Sequence, residues 1–160
     1  MESSFGIGMT FEQIVDEYSD MVTRICIVKL KNYTNAQDCY QNVFVKLYKK
    51  NPCFENREHL KRWLIKVTVR ECINFSRQFW YKKVVCVDEI IARANEEEKG
   101  VMEEVLNLPD KYRDVVYLHY YEGYKISELS AMLNRKEGTI KAQLSRGRDL
   151  LRNVLGGEIL

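Results

Sequence analysis

Apolar residues recur at steps of three and four through almost the whole chain, and no other feature limits its fold so strongly. Side chains at that spacing share one face of a helix and must be buried together. Phe11, Ile14, Val15, Tyr18, Val22 and Ile25 form the first such stripe and predict a helix from about Phe11 to Leu30. Thr10 is its expected N-cap, with Gln13 three residues on completing a reciprocal cap. A break at Asn32, Tyr33, Thr34 and Asn35 follows, where Thr34 or Asn35 is placed to cap the next helix. That helix, over 36–50, is expected to bury Tyr40, Val43, Phe44 and Leu47, with Tyr48 at its margin. Pro52 ends it. A third helix is expected over 59–80, with Leu60, Trp63, Leu64, Val67 and Ile73 facing inward and Lys61, Arg62, Lys66, Arg70 and Arg77 outward.

The same period resumes at Val101, Val105, Leu108, Val115, Val116 and Leu118. Pro109 beside Asp110 reads as a helix start and Gly123 as a helix stop. The stretch 124–155 then divides in two. Ile126, Leu129, Met132 and Leu133 mark a short helix, with Ser130 and Ala131 small enough for a close crossing. Asn134 stands at a sharp turn, where its tolerance of the left-handed backbone is useful. Ile140, Leu144, Leu151 and Leu155 stripe a longer helix whose other face is basic and hydrogen-bonding. Short helix, tight turn and longer helix make a helix-turn-helix, the common way of presenting a helix to the DNA major groove. The plain alternative is a helical hairpin with a solvated face. The fold class expected is all-α, as two small helical domains joined by a flexible linker.

The net charge of +2 conceals an uneven distribution. Lys and Arg against Asp and Glu number 14 to 9 over residues 1–87, 2 to 7 over 88–107, and 9 to 7 over 108–160. Two basic lobes with an acidic join suit a polyanion touched at two places. Phe75, Phe79, Trp80 and Tyr81 are interleaved with Arg77, Lys82 and Lys83, a mixture on which unpaired bases can stack while cations follow the phosphates. The alternative is that the rings plug a three-helix core. Cys26, Cys39, Cys53, Cys72 and Cys86 form no CxxC pair, and His59 and His119 stand apart, so neither metal ligation nor a cofactor is expected. All five thiols are expected to be small buried hydrophobes in a reducing compartment. No apolar run approaches the ~20 residues of a membrane span, and no secretion signal opens the chain. A cytoplasmic protein is expected.

Four segments, in order, resemble those of the small two-domain RNA polymerase sigma factors of the extracytoplasmic-function type, within the sigma-70 family. AQDCYQNVFVKLYK is similar to the family's DAEDLVQEVFLRLY helix. NPCFENREHLKRWLIKVTVRECINFSR is similar to its loop and following helix. LNLPDKYRDVVYLHYYEGYKISELSAML and NRKEGTIKAQLSRGRDLLR are similar to its second domain. The resemblance implies a domain over 1–84 for core-polymerase binding and minus-ten recognition and melting. It implies an acidic linker over 85–104 and a helix-turn-helix over 105–160 for the minus-thirty-five element. It implies no enzyme activity; the partners are core RNA polymerase, promoter DNA, both duplex and single-stranded, and an anti-sigma factor.

Residue roles follow from the same resemblance. Asp38, Gln41 and Asn42 stand where the family docks on polymerase, with Asn42 replacing a usual Glu. Phe54, Asn56, Lys66, Arg70, Asn74, Arg77 and Trp80 stand where minus-ten bases are captured, Arg70 and Asn74 replacing a frequent Asn and Asp. Lys136, Glu137, Thr139 and Gln143 stand where base edges are read, and Lys141, Ser145, Arg146 and Arg148 complete the face, its Lys and Arg on phosphates. Gln143 replaces a common Arg and is expected to pair bidentately with adenine. Lys125 replaces a Ser N-cap, at a small cost in stability. Two other readings are a helix-turn-helix regulator acting on duplex DNA without polymerase, and a sigma-like adaptor that has lost promoter melting.

Overall fold

The computed structural model describes residues 5–78 and 99–155, and the chain divides into two compact units between Lys83 and Val84. The first unit is a three-helix bundle of α1 (Phe11–Leu30), α2 (Tyr33–Lys50) and α3 (Arg57–Gln78), each packed on the other two. The reciprocal cap of α1 is present: Gln13 N–H donates to Thr10 Oγ1 at 3.2 Å and Thr10 N–H to Gln13 Oε1 at 2.9 Å. α2 begins earlier than its expected 36–50, because Asn32 rather than Thr34 or Asn35 is the cap. Its Oδ1 accepts from Asn35 N–H at 3.0 Å, just after Lys31 has turned the chain through the left-handed region at φ 51.

The core joins Ile14, Val22, Ile25, Val43, Leu47, Leu60 and Leu64, aliphatic side chains whose burial contributes about 1.5–3 kcal/mol each. The inward face of α3 is rotated from the expected one. Ile65, Thr68, Val69 and Cys72 are buried beside Leu60 and Leu64, while Trp63, Val67 and Ile73 are half-buried. Thr68 hides in the sequence pattern because it is polar; it is fully buried and its hydroxyl donates to Leu64 C=O at 2.6 Å. Tyr48 is 68% exposed, its ring meeting Phe11 edge-on. Cys26, Cys39 and Cys72, one on each helix, are buried as expected, whereas Cys53 is exposed. Cys86 lies outside the described residues.

A short segment ahead of α1 closes one end of this bundle. Phe5 and Met9 are buried, and Phe5 C=O accepts from Phe54 N–H at 2.8 Å. Gly6, at φ 79, presses on the same loop: a Cβ there would lie 2.5 Å from Cys53 Sγ and 2.8 Å from Phe54 O.

The second unit holds α4 (Lys99–Asn107), α5 (Asp110–Val116), a wider π-helical turn (Tyr117–Tyr121), α6 (Ile126–Leu133) and α7 (Glu137–Leu155). α4 begins inside the expected linker, so Gly100 is helical; residues 85–98 of that linker lie outside the described residues. The single helix expected over 109–122 widens instead at Tyr117. Glu122 N–H reaches Tyr117 C=O at 3.3 Å and Tyr124 N–H reaches Leu118 C=O at 3.1 Å, longer loops than an α-helix closes. Stacked Tyr117 and Tyr121 rings, 5.3 Å apart, occupy the widened turn. Gly123 then stops the helix at φ 77. Arg113, 3% exposed, donates to Leu108 C=O at 3.1 Å and pairs with Asp110, fixing the corner at Pro109. Burial lowers its guanidinium pKa, and Asp110 acts against that shift.

Candidate nucleic-acid interface

The helix-turn-helix of the second unit is built at a three-residue turn, Asn134 to Lys136. Asn134 takes the left-handed conformation at φ 54 and its N–H returns to Ser130 C=O. Arg135 N–H goes to the same carbonyl at 3.2 Å, while Ser130 Oγ donates to Arg135 C=O at 2.5 Å. Ser130 is thus needed for its hydroxyl as well as its size. α6 starts with Lys125 N–H donating to Glu128 Oε1 at 3.1 Å and no side-chain bond from Lys125 itself. From this turn α7 sends Ile140, Leu144 and Leu151 inward. Leu155 belongs to α7, but its side chain lies outside the described residues.

The opposite face of α7 exposes Lys136, Glu137, Thr139, Lys141, Ser145 and Arg146, all on or just before the helix. Gln143 and Arg148 are half-buried. Gly138, Thr139, Ala142, Gln143 and Arg146 also floor a shallow cleft walled by Lys111 and Tyr112 of α5. The steps from Lys136 to Thr139, Gln143 and Arg146 are three, four and three, so these residues form one line along the helix. Cations and amide donors on such a line can meet phosphates and base edges over one groove.

Sequence patterning missed what holds this face in place. Arg135 grips Asp114 of α5 with both nitrogens, Nη2–Oδ2 at 2.6 Å and Nη1–Oδ1 at 3.2 Å. The Asp114 side chain is 1% exposed, and its Oδ1 also accepts from Val115 N–H at 2.8 Å. Nη1 of Arg135 continues to Gln143 Oε1 at 3.2 Å. An Asp amid Tyr112, Val115 and Val116 on a helix with a buried face was the available signal. Gly147 was missed as well: a Cβ there would lie 2.6 Å from Val116 Cγ2, so α7 and α5 approach closely at this point.

In the first unit, Asp38, Gln41 and Asn42 are exposed together on α2, opposite Cys39, Val43 and Leu47. Exposed Val45 continues that face. On α3, Lys66, Arg70, Asn74 and Arg77 are exposed at steps of four, four and three, a mostly basic line. Asn56 is exposed, and its Oδ1 accepts from His59 N–H at 2.8 Å, so it also caps α3. Phe54 leaves this group as a correction. It is 2% exposed, its ring packed edge-on against His59 and Trp63 and its backbone N–H bonded to Phe5 C=O ahead of α1. It shapes the loop from below and presents no ring to a base. Trp80 lies outside the described residues. Among the described residues no group of three His, Cys, Asp or Glu is placed to hold a metal, and no helix is long and apolar enough to cross a membrane.

Comparison with known proteins follows this division into units. The family described as Sigma-70 region 2 matches residues 14–80, and that described as Sigma-70, region 4 matches residues 100–151. The chain is similar to the ECF RNA polymerase sigma factor SigW of Bacillus subtilis, 27% identical over 91% of this chain and 88% of the relative. It is similar to RNA polymerase sigma factor SigV of the same organism, 27% identical over 92% of this chain and 91% of the relative. In fold it resembles the sigma factor RpoE solved in complex with the anti-sigma factor NepR from Bartonella quintana. That likeness has a TM-score of 0.70 at 19% identity and covers 92% of this chain and 98% of the other.

Proposed function

We propose, from the premise that this chain belongs to the sigma-70 family as a sigma factor of the extracytoplasmic-function type, that its two units divide one task along a promoter. The protein binds core RNA polymerase, directs it to specific promoters and initiates transcription there. The observation that carries this is the order of parts: region 2 on the three-helix bundle, region 4 on the helix-turn-helix, and a basic exposed line on each.

In this reading Asp38, Gln41 and Asn42 meet the polymerase, and exposed Val45 on the same face of α2 extends the contact. Lys66, Arg70, Asn74 and Arg77, with Asn56 at the head of α3, hold the parted minus-ten strand. Extracting a base from the stack costs a few kcal/mol, which a basic line near the flipped base offsets. Trp80 is assigned to the same task. Lys136, Glu137, Thr139 and Gln143 read the minus-thirty-five duplex, with Lys141, Arg146 and Arg148 on phosphates and Ser145 beside them. The protein makes and breaks no covalent bond; polymerase supplies the chemistry. It acts in the cytoplasm, and an anti-sigma protein is an expected partner that would compete for one of these faces.

The test is transcription by core polymerase with this chain as the sole added factor, on promoters selected from a random library. Promoter-specific transcripts are expected. A chain that bound duplex DNA without core would be a regulator, and one that held core without starting transcripts would be an adaptor; either result would displace the proposal.

A further inference from the structure

The contact between Arg135 and Gln143 bears on what α7 can read. A glutamine that reads adenine does so with both ends of its carboxamide, the oxygen accepting from N6 and the nitrogen donating to N7. Here the oxygen faces the protein. Arg135 Nη1 donates to Gln143 Oε1 at 3.2 Å. The orientation is dictated by chemistry, since a guanidinium carries donors only and an NH₂ turned toward it would set donor against donor. Nor is the guanidinium loose. Both its terminal nitrogens are on Asp114, at 2.6 and 3.2 Å, and the backbone of Arg135 is tied on each side to Ser130. Asp114 is itself buried on α5, so the anchor is part of the second unit's core.

We propose that Arg135, locked on Asp114, turns the carboxamide oxygen of Gln143 inward, so that Gln143 offers DNA N–H donors alone and selects an acceptor edge, guanine first, in place of adenine. Guanine presents two adjacent acceptors, O6 and N7, in the major groove, and thymine presents one, O4. Adenine offers N7 but sets its N6 amino donor beside it, and cytosine offers an amino donor alone, so neither gives the Gln143 amide two adjacent acceptors. Arg135 is then a positioning residue: it sets base preference through Gln143. The proposal rests on the reading of α7 as the minus-thirty-five reader.

The test uses holoenzyme assembled from the full chain and core polymerase, selecting duplexes with a randomised minus-thirty-five element. The position whose preference disappears in Gln143→Ala is the one Gln143 reads. In wild type that position is expected to favour guanine over adenine by about fivefold or more. Arg135→Lys keeps a cation beside Asp114 but loses the planar fork, and is expected to move that position toward adenine by a similar factor while other positions keep their preference. A second variant guards against misfolding: Arg135→Met with Asp114→Leu removes both charges, which a buried pair tolerates far better than loss of one, and the same shift is expected. A merely structural role for Arg135 would weaken every position alike. Adenine at that position in wild type, an unchanged preference in both variants, or no position altered by Gln143→Ala overturns the proposal. Holoenzyme that assembles yet enriches no element overturns the minus-thirty-five reading with it, whereas adenine preference overturns this inference alone.

Discussion

Gly147 shows how one missing Cβ sets a helix crossing. Val116 Cγ2 fills the space where that Cβ would be, at 2.6 Å, and Tyr112 Cβ lies 3.4 Å away. A helix interior otherwise favours Ala over Gly by about 1 kcal/mol, but valine is stiff at χ1 and cannot yield. Gly147→Ala is expected to destabilise the second unit by about 1–3 kcal/mol through overpacking. Adding Val116→Ala should recover part of that loss, as a denaturation series on the two singles and the double would measure. The buried thiols and phenols of the first unit make a second residue-scale prediction. Contact with Cys72, then burial, raises the Cys39 pKa; contact with Cys26 is the main cause for Cys72, which is raised well above an ordinary thiol. Burial raises Tyr18 and Tyr40. The folded chain keeps these protons after the unfolded chain has released them, so the unfolded state binds fewer protons and stability falls as pH rises. The loss should begin near the ordinary thiol value of about 8.5 and continue through the phenol range near 10. Urea midpoints for the first unit taken from pH 7 to 10.5 should decline, and less steeply in Cys72→Ala. Nothing in the spacing of the cysteines marked these three as mutual neighbours; only the bundle brings one from each helix together.

At the scale of elements, the segment ahead of α1 does more than lead into the first helix. It roofs the loop between α2 and α3, with Phe5 C=O on Phe54 N–H at 2.8 Å and Gly6 against Cys53 and Phe54. Gly6 and Gly8 both sit at positive φ, 79 and 70, yet only Gly6 has neighbours within 4 Å of a Cβ. Gly8→Ala should therefore cost only the backbone strain of about 1–2 kcal/mol. Gly6→Ala should cost that and displace the loop, speeding exchange of the Phe54 amide about tenfold more than Gly8→Ala does. Equal exchange rates in the two variants would show that the roof does not hold the loop. The start of α2 carries a simpler expectation: Asn32→Ala should destabilise by about 1 kcal/mol and Thr34→Ala by much less, because Asn32 makes the capping bond. Boundaries such as this were the least legible feature of the sequence, since Asn32, Thr34 and Asn35 are all competent caps and the choice falls to the turn that delivers the chain.

For the molecule as a whole, two basic lines on two units predict separable defects. Replacing Lys66 and Arg70 with Ala should impair promoter opening by holoenzyme while leaving recruitment to a minus-thirty-five element intact, as permanganate footprinting beside a binding assay would measure. Arg146→Ala should do the reverse, weakening recruitment across all sequences and lowering the log–log salt slope by about 1, the signature of a lost phosphate contact. Loss of opening and recruitment together in both sets would contradict the division of labour.

The sequence by itself determined the helices, their order, the turn at Asn134 and the basic outer line of α7, because each follows from local spacing and local backbone preference. It also placed Asp38, Gln41 and Asn42 on one exposed face, since residues three and four apart on a helix cannot avoid sharing one. Tertiary structure decided which faces were truly free. Phe54 is buried, its loop tied to Phe5 of a distant segment and its ring packed on His59 and Trp63, the inward face of α3 admits Thr68, and Gln143 points its oxygen inward because Arg135 and Asp114, 21 residues apart, meet beside it. Contacts between residues far apart in the chain leave no period in the sequence, so they become visible only when the helices are packed.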